Sequence, residues 1–160
     1  MTAWEGTMLE PILLVEDNPK DLELTLLALE KCNLANEVVT VRDGAEALDY
    51  LFRRGPCADR PPGNPALMLL DVKLPKVDGI EVLEQMRADE VLRAIPVVML
   101  TTSSEEQDIL RSYKFGANAY VVKPVVFQDF IDAIRALGAF WAVLNAPPPG
   151  SLKFHRQVDP

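Results

Sequence analysis

Glu16 and Asp17 follow the run "PILLV", Asp71 follows "ALMLL", Thr101 closes "IPVVML", and Lys123 follows "ANAYVV". Each of these polar groups stands at the end of a short apolar run. Carboxylates gathered in one pocket repel, and their pKa values rise unless a cation neutralises them. The natural partner is a hard divalent cation with oxygen ligands, and Mg²⁺ fits because it keeps water or phosphate oxygens in its shell. With an ammonium from Lys123 and a hydroxyl from Thr101, such a set suits a transferring phosphoryl group. An aspartate can also be the nucleophile and form an aspartyl-phosphate. One acid at a strand end is commonly solvated or caps the next helix. It is the whole set, each member on its own strand end, that points to phosphoryl chemistry.

The elements that must hold these residues alternate. Apolar runs predict strands over 11–17, 37–42, 66–71, 95–101 and 117–124. Helical spacing predicts helices after Asn18, with Leu22, Leu26, Leu27 and Leu29, and over 43–54, with Ala47, Leu48, Leu51 and Phe52 on one side. Further helices are expected over 78–89, 104–116 and 127–145. Asn18 and Ser104 are expected N-caps, Pro19 suits a first turn, and Gly116 is an expected stop. The segment 55–65 holds four prolines and two glycines and reads as a loop. Five strands alternating with five helices imply a parallel sheet covered on both faces, with the chemistry outside the carboxyl ends of the strands. If the first and third strands are neighbours, three carboxylates meet there.

The chain has 160 residues, the usual size of one domain, and a net charge of −8, which argues against a binder of nucleic-acid backbone. A single histidine and two cysteines, Cys32 and Cys57, with no CxxC pair, leave no zinc spacing. Two free thiols, no signal-peptide pattern and no apolar run of membrane-spanning length are the expectation of a cytoplasmic protein. The expected organisation is an N-terminal segment over 1–9, one domain over 10–145 and a proline-rich tail over 146–160 with no output domain.

These residues resemble the receiver domain of two-component response regulators, the CheY-like family. The resemblance covers about residues 10–144. It rests on "VED" (15–17), "LLDVKLPKVDG" (69–79), "VVMLTT" (97–102) and "YVVKP" (120–124). It implies an α/β, flavodoxin-like fold: a doubly wound five-stranded sheet of order 2-1-3-4-5 with five helices. It implies Asp71 as phosphoacceptor, Lys123 as the phosphate-contacting lysine, Thr101 and Tyr120 as switch residues, and a cis bond at Lys123–Pro124. Mg²⁺ would be held by the Asp17 and Asp71 side chains and the Lys73 carbonyl, with Glu16 acting through water. The donor would be a sensor histidine kinase, and the protein would be a signalling switch rather than an enzyme. Thr102 stands where the family commonly has Ala or Gly, which keeps open a degenerate receiver acting only as a binding module. Lys73 and Ser103 occupy places that tune dephosphorylation. The long loop 55–65, "LTTSSEEQDILRSY" and Phe140-Trp141 look most like stand-alone receivers paired with phytochrome-type kinases.

Output is expected by protein contact. In the last helix Ile134, Leu137, Trp141 and Leu144 share one apolar stripe and Phe140 lies on a second beside it, a wider apolar arc than core packing needs. That is the expected surface for a homodimer through helix four, strand five and helix five. His155 in the tail is read as a plain polar residue. A haloacid-dehalogenase-type hydrolase would carry an acid at position 73, where Lys73 stands. A flavodoxin-like electron carrier would need a phosphate loop where "VEDNPKD" stands, and those acids repel a flavin phosphate.

Overall fold

The structure, a computed structural model, describes residues 10–32, 34–123, 126, 128, 129 and 132. The strands are β1 (Ile12–Val15), β2 (Val38–Val41), β3 (Leu67–Leu70), β4 (Val97–Thr101) and β5 (Ala119–Val122). They form one sheet of order β2-β1-β3-β4-β5, every pairing parallel. The expected strand order is therefore present, and β1 and β3 are neighbours with Val15 beside Leu70. The helices among the described residues are α1 (Pro19–Glu30), α2 (Gly44–Phe52), α3 (Gly79–Arg87) and α4 (Glu106–Lys114). The expected fifth helix, the Lys123–Pro124 bond, residues 1–9, the tail and the stripe residues Ile134, Leu137, Phe140, Trp141 and Leu144 lie wholly or mostly outside the described residues.

The strands read as unbroken apolar runs because both faces are covered. Leu13, Val15, Met68, Leu70, Val97 and Met99 point to one side and pack on α2 and α3. Their neighbours Ile12, Leu14, Leu67, Leu69, Val98 and Leu100 point to the other and pack on the α1 side, with Leu29. Each such side chain, fully buried, contributes about 1.5–3 kcal/mol. β1, β3 and β4 are thereby buried on both faces.

Asn18, Asp43 and Asp78 cap α1, α2 and α3, each side chain accepting from backbone N–H groups of the first turn. Gly116, at φ +99°, follows the end of α4 as expected. Ser104 is not the cap of α4. Glu105 takes that place without a side-chain cap, and the hydroxyl facing the turn is that of Ser103, which accepts from Glu105 N at 3.3 Å. Leu27 is 49% exposed and Phe52 36%, although both lie at helical apolar spacing. One sheet layer covers only part of a helix, and Phe52 instead lies under the Arg54 guanidinium, 5.2 Å from its ring. In the proline-rich loop Arg60 stacks on Tyr50 at 4.2 Å and donates to Tyr50 O, fastening the loop to α2. Cys32 and Cys57 are free thiols. No helix among the described residues is long and apolar enough to cross a membrane.

Candidate functional site

The sheet itself delivers the polar groups. Beyond the last strand residues the parallel ladder adds a rung: Glu16 N donates to Val41 O, Asp71 N to Val15 O, and Lys123 N to Thr101 O. Three backbones are thus pinned at one edge, and their side chains converge. Glu16, Asp17 and Asp71 each bring a carboxylate oxygen within 4.8 Å of the others. Glu16 and Asp71 are buried and Asp17 is exposed, so the cluster opens to solvent on the Asp17 side.

Lys123 closes the inner side. Its ammonium donates to Glu16, to Asp71 Oδ2 at 3.0 Å and to Asp21 Oδ2 at 3.1 Å. Asp21 is a member that sequence reasoning missed. It lies in the first turn of α1, four residues beyond Asp17, and only the fold shows that this turn faces a lysine 102 positions away. Asp71 Oδ1 accepts from Lys73 N at 3.3 Å. Thr101 is wholly buried, and its Oγ1 accepts from Ser103 N at 3.2 Å. Tyr120 donates its hydroxyl to Ser103 O at 2.8 Å. Thr102 is exposed. Asp78, within the "LLDVKLPKVDG" run, serves as a helix cap.

The loop after β3 is tightly folded. Val77 N reaches back to Pro75 O at 2.7 Å across Lys76, a γ-type turn with Lys76 at φ +69°. Gly79 then returns so close to the strand that a Cβ there would stand 1.9 Å from Asp71 O. Asp71 is thereby held by β1 through its N–H and confined by Gly79 at its carbonyl.

Burial chiefly, with the Asp71 charge adding, pushes Glu16 from the ordinary 4.5 up to about 7, although the Lys123 hydrogen bond works against it. Burial alone would lower the Lys123 ammonium, but its hydrogen bonds to Glu16 and Asp71 and their charges hold it above the usual lysine value. Three acids thus share one ammonium, with Asp17 beside them. This all-oxygen, under-neutralised donor set fits a divalent cation. The sign of the pH effect follows. Between about 4.5 and 7 the folded protein keeps a proton on Glu16 that the unfolded chain releases, so this stabilisation is present at low pH and lost as pH rises through 7. Melting in EDTA is therefore expected to shift downward from pH 5 to 7.5, while the gain from added Mg²⁺ widens over the same range. A midpoint in EDTA that rises with pH would contradict the Glu16 assignment.

The chain matches the response regulator receiver domain over residues 12–135. It belongs to that family, whose members act as signalling switches that accept a phosphoryl group. The bacteriophytochrome response regulator RtBRR is a similar solved structure, with 64% identity and a TM-score of 0.80, covering 94% of this chain and 91% of that one. Among curated relatives, the probable methanogenesis regulatory protein FilR2 of Methanothrix harundinacea is 42% identical over 86% of both chains. Response regulator Rcp1 of Synechocystis sp. is 38% identical over 81% of this chain and 87% of its own. Rcp1 also has a Mn²⁺-bound structure, with a TM-score of 0.69 over 88% of this chain and 99% of that one.

Proposed function

We propose that Asp71 is the phosphoacceptor of this receiver and that its phosphodonor is a phosphohistidine on a sensor histidine kinase of phytochrome type. The observation that carries the reading is the buried Lys123 ammonium bridging Asp71, Glu16 and Asp21 at the carboxyl edge of the sheet. Lys123 donates to Asp71 Oδ2 and fixes where that oxygen lies. An Asp71 oxygen attacks phosphorus, the P–N bond of the donor breaks, and the imidazole leaves with the electron pair and takes up a proton. Lys123 then pairs with the phosphoryl oxygens, and the Thr101 hydroxyl exchanges its Ser103 contact for them. Tyr120, tied to the same Ser103, follows inward and reshapes the α4–β5 surface. Mg²⁺ would be held by the Asp17 and Asp71 side chains and the Lys73 carbonyl, with Glu16 acting through water, and would supply positive charge against the phosphoryl oxygens. The Mn²⁺ form of Rcp1 supports a divalent ion, and the 64% identity with RtBRR supports the phytochrome pairing.

Intact-mass measurement after incubation with Mg²⁺ and acetyl phosphate tests this. One phosphoryl adduct is expected, with acetate leaving, and none on Asp71→Asn. An adduct that persists in Asp71→Asn would move the acceptor elsewhere. No adduct with acetyl phosphate or phosphoramidate would favour a receiver that acts only as a binding module.

The output we propose is protein contact through a homodimer of the α4, β5 and last-helix surface, in the cytoplasm. Leu110 is 61% and Tyr113 49% exposed on α4, Val122 39% on β5, and Val126 50% just beyond. Exposed apolar residues on neighbouring elements fit a partner surface. Leu110→Glu combined with Trp141→Glu is expected to give monomers by light scattering, and a dimer of unchanged mass would exclude this face.

A further inference from the structure

Helix α4 is held to the fold in an unusual way. Its buried residues are Asp108 and Ser112, one turn apart and both polar, while Leu110 and Tyr113 face outward. Among the described residues the Ser112 hydroxyl has no hydrogen-bond partner. A buried carboxylate is costly unless paired, so the seat of α4 depends on what Asp108 meets. Its Oδ2 accepts from Ser103 Oγ at 2.6 Å and lies 3.5 Å from Lys73 Nζ.

Both partners belong to loops that flank Asp71. Lys73 is two residues past Asp71, and its N–H donates to Asp71 Oδ1. Ser103 is two residues past Thr101, donates its N–H to Thr101 Oγ1 and accepts the Tyr120 hydroxyl on its carbonyl. One carboxylate on α4 therefore gathers the loop of the acceptor, the loop of the switch hydroxyl and, through Ser103, the switch aromatic.

We propose that Asp108 is a positioning residue that couples the charge at Asp71 to the seating of α4, with Lys73 as the movable link. This rests on Asp71 being the phosphoacceptor. The Lys73 side chain is 66% exposed and free to swing, whereas that of Asp108 is 7% exposed and fixed. Phosphorylation replaces the single carboxylate charge of Asp71 with roughly two on the phosphoryl group, which competes for the Lys73 ammonium. When Lys73 leaves, Asp108 keeps only its Ser103 hydroxyl, and one of the two contacts by which Asp108 seats α4 is lost. By linkage, loosening the seat in advance favours the phosphorylated state.

Beryllofluoride, a non-covalent phosphoryl mimic, gives an equilibrium readout when titrated with Mg²⁺ into the full chain. Asp108→Asn keeps the Ser103 contact and removes the charge. It is expected to bind the mimic about three- to fivefold more tightly, the scale of one partly exposed ion pair. Asp108→Glu restores the wild-type affinity. In a Lys73→Met background Asp108→Asn produces no further change, which a merely structural role would not predict. Equal gains in both backgrounds, or wild-type affinity in Asp108→Asn, would overturn the proposal. If the wild type binds no mimic and takes no phosphoryl group on Asp71, the Asp71 reading itself falls, and this one with it.

Discussion

Lys123→Met is expected to melt several degrees below the wild type, and divalent cations are expected to restore much of the loss. The ammonium is 4% exposed and meets Glu16, 2% exposed, Asp71, 8% exposed, and Asp21, 28% exposed. Removing one partner of a buried ion pair leaves uncompensated charge, which costs about 3–5 kcal/mol. Two routes soften that cost: Glu16, already raised to about 7, takes up a proton, and Asp21 turns to water. A net loss near 3 kcal/mol corresponds to roughly 6–12 °C in a chain of this size. Because the variant leaves its acids without their internal cation, added Mg²⁺ should raise its midpoint more than that of the wild type. The phosphoryl adduct should also be lost, since the dianion has no buried ammonium to meet. Thermal melts with EDTA and with Mg²⁺, read beside intact mass, check all three points. A variant that melts within a degree or two of the wild type in EDTA would show that Lys123 does not neutralise this pocket.

Gly79→Ala is the second large effect, and its sign is the informative part. At the first position of a helix alanine should stabilise over glycine, by up to about 1 kcal/mol. Here the added methyl would lie 1.9 Å from Asp71 O and 3.0 Å from Val72 Cα. Neither contact is the far end of a flexible side chain, so backbone must shift, at a cost of about 1–3 kcal/mol. The shift falls on Asp71, the proposed phosphoacceptor. A displacement of about 1 Å at a reacting group can cost as much as a hundredfold in rate, so adduct formation with acetyl phosphate should slow by about tenfold or more. Gly44→Ala is the matched control. Its methyl would lie 1.8 Å from Val77 O, a comparable clash in the same loop but six residues from Asp71. It should lose similar stability and keep more of the phosphorylation rate. Equal rates in the two variants would mean that Gly79 does not set the position of Asp71.

The relatives differ in how far they narrow the biology. FilR2, at 42% identity, is a probable methanogenesis regulator and Rcp1, at 38%, a response regulator, so identity at that level marks a receiver and little more. The phytochrome pairing proposed above rests on the 64% identity with RtBRR, over nearly the whole of both chains.

Much of this was legible before the fold. A strand buried on both faces must be an apolar run, so β1, β3 and β4 announce themselves, and parallel pairing puts all their carboxyl ends on one edge. Glu16, Asp17, Asp71, Thr101 and Lys123 are therefore determined as a set by local sequence, each at or just beyond the end of a strand. The Asn18 cap, whose partners are two and three residues away, is legible for the same reason. Three things needed the tertiary structure. Asp21 joins Lys123 across 102 positions because the parallel sheet puts the start of α1 and the end of β5 on one edge, within reach of the lysine side chain. Leu27 and Phe52 share an apolar spacing with buried neighbours, yet one sheet layer does not reach them. Asp108, within "SEEQDILRSY", is 5% exposed, and Lys73 and Ser103 arrive from two other loops to meet it. Periodicity reports which way a side chain leaves its own element. What waits for it there depends on elements far away in the chain, and for Asp21 and Asp108 only the packed sheet supplies that partner.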